Sequence, residues 1–225
     1  MKQLLLILGL FWVFTSSARA DDPTPPPKPA AGAAAPAGST GAAAPATPAA
    51  APAPAKAVGS PRVQVVTNMG NFVIELNSER APLTVQHFLA YVDQGFYTGT
   101  VIHRVIPDFV IQGGGMDTDY RIKPASLTVV NEAGNGLTNA RGTIGAARGN
   151  DPHSSNSQFY INLFDNANLD PNPSRWGYAV FGKIVQGMDV VDRIGNVPTG
   201  GHGAIKQDVP LKPVIIQKIE RINGS

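Results

Sequence analysis

An arginine and a glutamine, Arg104 and Gln112, interrupt two otherwise apolar runs in the stretch VIHRVIPDFVIQGGG, residues 101–115. The runs, Val101 to Ile106 and Phe109 to Ile111, flank Pro107 and Asp108 and read as a tight β-hairpin. A three-residue connection through Pro107, Asp108 and Phe109 pairs Ile106 with Val110 and Arg104 with Gln112, and leaves Val105 and Ile111 on a wholly apolar opposite face. A two-residue connection would mix polar and apolar residues on both faces, so the segregated register is expected, with His103 on the Val105 face as a core histidine. An arginine is neither base nor nucleophile at neutral pH, but its planar fork donates hydrogen bonds from a fixed position. A fixed donor beside an amide, bordered by Phe109, Val110 and the stretch Ser157 to Ile161, suits a reaction without proton transfer, such as rotation about an amide bond. On these residues alone, a plain ion-pair or capping role for Arg104 carries equal weight.

The other chemistry-bearing residues make weaker constellations. The four histidines, His87, His103, His153 and His202, have no ligand partner at a standard spacing and the chain has no cysteine, so a zinc site is not expected. His153-Ser154-Ser155 and Ser157 lack a G-x-S-x-G elbow, and sequence adjacency is not the geometry of a nucleophile and base. The triple glycine at 113–115 stops the second apolar run, and no phosphate-binding pattern follows it.

Around the hairpin the pattern is β-rich. Arg62 to Thr67 and Asn71 to Leu76 form a first hairpin, and Pro82 opens an amphipathic helix to about Gln94, with Val85, Phe88, Leu89 and Val92 on one stripe and Gly95 as its stop. A Gly- and Asn-rich loop region spans Gly113 to Arg141, followed by short strands at Gly142 to Ala147, Gln158 to Asn162 and Ala179 to Ile184. A second helix from about Met188 to Ile194 and a last strand, Val214 to Ile222, complete one β-barrel domain of about 160 residues with helices closing its ends.

The N-terminal region has a different composition. Lys2, the apolar run Leu4 to Phe14 and the Ala18-Arg19-Ala20 cleavage pattern make residues 1–20 a secretory signal peptide, too short to anchor in a bilayer. The mature chain is expected to begin at Asp21, soluble and exported to the periplasm or secreted. Lys2 and Arg19 leave with the signal, so the 18 basic and 16 acidic residues become 16 of each, which gives no electrostatic footprint for nucleic acid or an anionic membrane. Residues 21–60 hold 10 prolines and 16 alanines and read as a disordered, partly polyproline-II linker. Without cysteine, residues 61–225 must stand on their core alone.

The hairpin and its surroundings resemble the cyclophilins, a family of peptidyl-prolyl cis/trans isomerases, here of the exported bacterial type. The resemblance rests on Phe96-Tyr97, His103 through Gly114, Gly142-Thr143-Ile144, Ser157 through Asn162, Val180-Phe181-Gly182-Lys183 and Gly187-Met188, in the family's order, and covers about residues 62–222. It implies a mainly β fold, a closed eight-stranded antiparallel barrel capped by two helices, with the active site on the barrel's outer surface. It also implies that Arg104 is the catalytic arginine and Gln112 holds the substrate backbone. Phe109, Val110, Tyr160 and Leu169 would form the proline pocket, Ala147, Arg148 and Gln158 the groove for the residues before proline, and Tyr178 the pocket mouth. No cofactor or metal enters. Val110, Tyr160 and Arg148 stand where better-known members carry methionine, phenylalanine and asparagine, and Asn168 stands where cyclosporin-sensitive members carry tryptophan, which argues against tight binding of that drug.

The leading expectation is a monomeric isomerase that accelerates the folding of exported proteins, with proline-containing polypeptides as partners and neither nucleic acid nor stable membrane insertion. Alternatives are a proline-segment-binding chaperone module with little turnover and a structural envelope protein.

Overall fold

A computed structural model describes residues 60–222; the expected signal peptide and all but the last residue of the expected linker lie outside the described residues. The first hairpin joins β1 (Arg62–Thr67) to β2 (Gly70–Leu76). Alternation in β1 turns Val63, Val65 and Thr67 inward, and Thr67 Oγ1 closes the turn by donating to the Gly70 carbonyl at 2.6 Å while accepting the Met69 N–H at 3.1 Å. Helix α1 (Pro82–Asp93) starts on a proline that supplies the first helical φ. Its cap residue Ala81 has no side-chain acceptor, and the first-turn amides of Leu83 and Thr84 donate instead to the Glu132 carboxylate at 3.2 and 2.7 Å. The stripe of Val85, Phe88, Leu89 and Val92 is buried as expected.

Strands β3 (Thr100–Ile106) and β4 (Val110–Asp117) pair in the expected register: Ile106 with Val110, Val105 with Ile111, Arg104 with Gln112. Two details correct the sequence reading. The register slips by one between Arg104 and Ile102, which leaves His103 as the extra residue of a β-bulge. Ile102 and Val105, three apart, therefore both reach the core, and His103 is buried by the bulge rather than by alternation with Val105. The triple glycine does not end the run, because β4 continues to Asp117. A side chain at Gly113 would collide with Ile102 and the Val101 carbonyl, and one at Gly115 with Gln158, so the glycines let neighbouring strands and a site residue lie close.

The remaining elements are β5 (Thr143–Ala146), β6 (Phe159–Asn162), a 3-10 turn (Ala167–Leu169), β7 (Val180–Gln186), α2 (Met188–Gly195), β8 (Thr199–His202), β9 (Ile205–Pro210) and β10 (Val214–Ile222). Eight strands close a fully antiparallel barrel in the order β1-β10-β3-β4-β6-β5-β7-β2. The hairpin β8–β9 is a separate two-stranded sheet, absent from the sequence reading because its glycines and polar residues carry no alternation.

Side chains fill the barrel. Phe72, Ile74, Leu76, Val105, Ile111, Ile144, Phe159, Ile161 and Phe181 are all at most 1% exposed, and α1 closes over them with Phe88, whose ring lies 5.3 to 5.9 Å from those of Tyr97, Phe159 and Phe181. An eight-stranded barrel packed this way has no lumen for a ligand, so a site must be built on its outside. Among the described residues no helix is long and apolar enough to cross a membrane.

Candidate active site

Residues facing outward on four neighbouring strands make one row across the barrel wall. Arg104 of β3 stands opposite Gln112 of β4, which stands opposite Tyr160 of β6, which stands opposite Gly145 of β5. Arg104 Nη1 donates to Gln112 Oε1 at 3.4 Å, and Gln112 Nε2 donates to Gln158 Oε1 at 3.0 Å. The guanidinium is thus attached to the barrel wall through an amide relay while its side chain stays 44% exposed, open to a ligand.

Tyr160 lies flat across Gly145, where any side chain would collide with its ring. Its hydroxyl does not point to the pocket mouth. It donates to Asn139 Oδ1 at 2.5 Å, and Asn139 is held in turn by Nδ2 donation to Asp170 Oδ1 at 2.8 Å and accepts from Asn162 Nδ2 at 3.2 Å. Burial pushes the phenol's pKa well above its ordinary value. The ring edge meets Tyr178 at 6.0 Å, T-shaped, and the Arg148 guanidinium caps Tyr178 at 4.5 Å from the ring centroid. Arg148 Nε donates to the Gly177 carbonyl at 3.1 Å and Nη1 to the Gly149 carbonyl at 2.9 Å, so its charge ties two loops together.

The other expected pocket residues are joined to this row through backbone. Val110 lies two residues before Gln112 on β4 and is 3% exposed. The Phe109 carbonyl accepts from Asn166 Nδ2 at 2.9 Å, the Leu169 N–H donates to the Asn166 carbonyl at 2.8 Å, and the Leu169 carbonyl accepts the Tyr178 N–H at 2.9 Å. Ala147 donates its N–H to the Gln158 carbonyl at 3.0 Å. Gln112, Ala147, Arg148, Gly149, Ser154, Asn156 and Gln158 line an open cavity of about 240 Å³. Strand pairing, side-chain contacts and backbone hydrogen bonds thus link all ten residues singled out in the sequence into one connected part of the barrel wall and its loops. Asn168 is exposed on the 3-10 turn, and Trp176, 57% exposed, meets the His153 ring at 5.1 Å instead of the Tyr160 row.

The remaining histidines are accounted for locally. His87 Nε2 meets the Leu127 carbonyl at 3.2 Å, His153 Nδ1 accepts the Asn131 N–H at 3.2 Å, and His202 stacks on Tyr120 at 4.3 Å. Sequence reasoning missed Asn139 and also Asp208, whose Oδ2 lies 3.8 Å from Arg104 Nε. The need of the Tyr160 hydroxyl for a partner was visible, but nothing in the spacing named Asn139; Asp208 lies in the unforeseen hairpin.

The family model for the cyclophilin type peptidyl-prolyl cis-trans isomerases matches residues 62–221. A peptidyl-prolyl cis-trans isomerase of Acinetobacter baylyi is 48% identical over 164 residues, covering 73% of this chain and 87% of the relative. One from Streptomyces antibioticus is 51% identical over 161 residues, covering 69% and 95%. Among solved structures, a cyclophilin-type isomerase of Cryptosporidium parvum, crystallised in the presence of the dipeptide Ala-Pro, is similar with a TM-score of 0.59 at 26% identity, covering 72% of this chain and 99% of that one. The closed eight-stranded antiparallel barrel with its two helices is that of a cyclophilin-fold enzyme. The chain belongs to the cyclophilin-type peptidyl-prolyl cis-trans isomerases, enzymes that act on proline-containing peptides.

Proposed function

We propose that Arg104 is the catalytic residue of this isomerase and that the enzyme accelerates folding of exported proteins. The arrangement that carries the first part is the Arg104–Gln112–Gln158 relay on the outer wall. Amide resonance sets a rotation barrier of about 18–20 kcal/mol. As the bond twists, the prolyl nitrogen regains its lone pair, and a guanidinium N–H aimed there binds the twisted state better than either planar state. Phe109, Val110, Tyr160 and Leu169 hold the proline ring, Gln112 holds the substrate backbone, and Ala147, Arg148 and Gln158 receive the residues before proline, with Tyr178 at the mouth. One side of the bond is gripped while the other turns. A 10⁵-fold acceleration needs roughly 7 kcal/mol, more than a single hydrogen bond supplies, so grip and donor must act together.

The test is an exchange measurement on an Ala-Pro peptide. Arg104→Ala is expected to lose about 10²-fold in kcat/KM, the cost of removing one preorganised donor; equal acceleration by both proteins sinks the assignment. Supporting turnover over a binding-only module, the Tyr160 hydroxyl is bonded to Asn139 and the Arg148 guanidinium to the Gly177 carbonyl and over Tyr178, so the polar groups of these two residues already have partners within the fold. Export rests on Lys2, the Leu4 to Phe14 run and Ala18-Arg19-Ala20. Mass spectrometry of the periplasmic fraction is expected to find a chain starting at Asp21, and an unprocessed chain confined to the cytoplasm would refute it.

A further inference from the structure

Arg104 has a second polar neighbour that the barrel wall does not provide. Its Nε lies 3.8 Å from Asp208 Oδ2, while Nη1 donates to Gln112. Asp208 belongs to β9, in the small sheet outside the barrel. Its backbone is left-handed, with φ +66°, a conformation open to Gly, Asn and Asp and strained for most other residues. The register of β8 and β9 slips between Gly200 and His202, so Asp208 lies in an irregular stretch that re-aims its side chain.

That stretch is firmly held. Val209, the next residue, is 2% exposed, the Leu211 N–H donates to the Pro198 carbonyl at 2.9 Å, and His202 at the other end of the hairpin stacks on Tyr120. The carboxylate is therefore delivered to Arg104 by a fixed element. Of the three residues this backbone accepts, only aspartate brings a charge. With the two side chains 44% and 25% exposed, the pair adds little to fold stability. Its consequence is geometric. A guanidinium on a flexible stem swings about its terminal torsions; attracted at Nε toward Asp208, 3.8 Å away and so an ion pair and not a hydrogen bond, and bonded at Nη1 to Gln112, it is biased toward an orientation that leaves N–H groups free for a substrate.

We propose that Asp208 is a positioning residue for Arg104, orienting the guanidinium through Nε so that its remaining donors face the prolyl amide. This rests on the reading that Arg104 is the catalytic donor. The test uses the full chain with Asp208→Asn, which keeps a residue suited to the left-handed backbone and removes only the charge. Measured by peptide exchange at several substrate concentrations, kcat is expected to fall about two- to fivefold, the scale of a partly exposed ion pair. KM is expected to stay unchanged, because none of the proposed pocket residues pairs with Asp208. The Arg104 Nε–H resonance is expected to shift and to show greater mobility in nitrogen relaxation. Asp208→Gly, equally suited to the backbone, is expected to behave like Asp208→Asn, and Arg104→Ala combined with Asp208→Asn like Arg104→Ala alone.

An unchanged kcat with an unchanged Nε–H signal overturns the proposal, as does a change confined to KM. If Arg104→Ala loses activity and Asp208→Asn does not, the positioning role alone fails. If Arg104→Ala is as active as the unaltered chain, the catalytic reading fails and the positioning role with it.

Discussion

His103 sits beside Arg104 in the β3 bulge, 6% exposed and with Nδ1 lacking a hydrogen-bond partner. Burial, then the neighbouring guanidinium, lower its pKa from the ordinary 6.5 to about 4. The folded state thus binds this proton less readily than the unfolded chain. Its contribution to stability is complete above pH 6.5 and is lost as the pH falls toward 4, by up to about 3 kcal/mol at 1.36 kcal/mol per pKa unit. Denaturation midpoints at pH 7, 5 and 4 are expected to drop more steeply for the unaltered chain than for His103→Gln, and parallel slopes would show that His103 does not titrate this way. At neutral pH it stays uncharged, so no second cation competes beside Arg104. Tyr160→Phe is expected to cost about 1 kcal/mol, because Asn139 Oδ1 keeps its bond from Asn162, with activity retained within about twofold in the peptide assay. The relevant residue types of the site were legible: Arg104 and Gln112 announced themselves as polar interruptions of apolar strands. The polar partners around them were not, because Asn139 and Asp170, which hold the Tyr160 hydroxyl, are ordinary loop residues in sequence, and Asp208, near Arg104, lies on the unforeseen strand β9.

At the level of elements, β5 is thin where β6 needs room. Gly145→Ala places a methyl in the Tyr160 ring, and the ring must leave its place over the strand. Overpacking of this kind is expected to cost about 1–3 kcal/mol and, on the proposed assignment of Tyr160 to the proline pocket, to raise KM; thermal melts and peptide titration read the two effects separately. Helix α1 depends on a carboxylate 48 residues away, and Glu132→Ala is expected to cost about 1–2 kcal/mol and to speed amide exchange at Leu83 and Thr84. The hairpin register and both helices could be read from periodicity, because one face of each is buried. The continuation of β4 through three glycines could not, because close packing against Ile102 and Gln158 favours the same residue that a turn does. The hairpin β8–β9 was missed for a related reason: Thr199, Gly200, Gly201 and His202 have no apolar face to alternate.

The whole barrel is closed by the pairing of the first strand with the last. β1 and β10 run antiparallel with Arg62 opposite Ile222, and β10 passes the ring on to β3, the strand that carries Arg104. Removing Val214 to Ile222 is therefore expected to abolish the near-ultraviolet circular dichroism of the fold together with activity, not to leave a trimmed enzyme. A truncated chain with native signal would contradict that closure. The barrel as a class was legible from the many short strands, but its closing order depended on contacts between the ends of the domain that no local pattern reports.

The Arg62–Ile222 pairing also has a mechanical side. The two ends of the described domain leave the ring at neighbouring points and on the same side of one ladder, so a pull applied between them loads the β1–β10 hydrogen bonds one after another, as a zipper, and not all at once in shear. Stretched from its ends, the ring opens first at the Arg62–Ile222 pair, and the β10–β3 ladder at Val214 to Ile216, at the far end of β10, is the last to be reached, so the strand bearing the arginine keeps its neighbour until the seam is fully open.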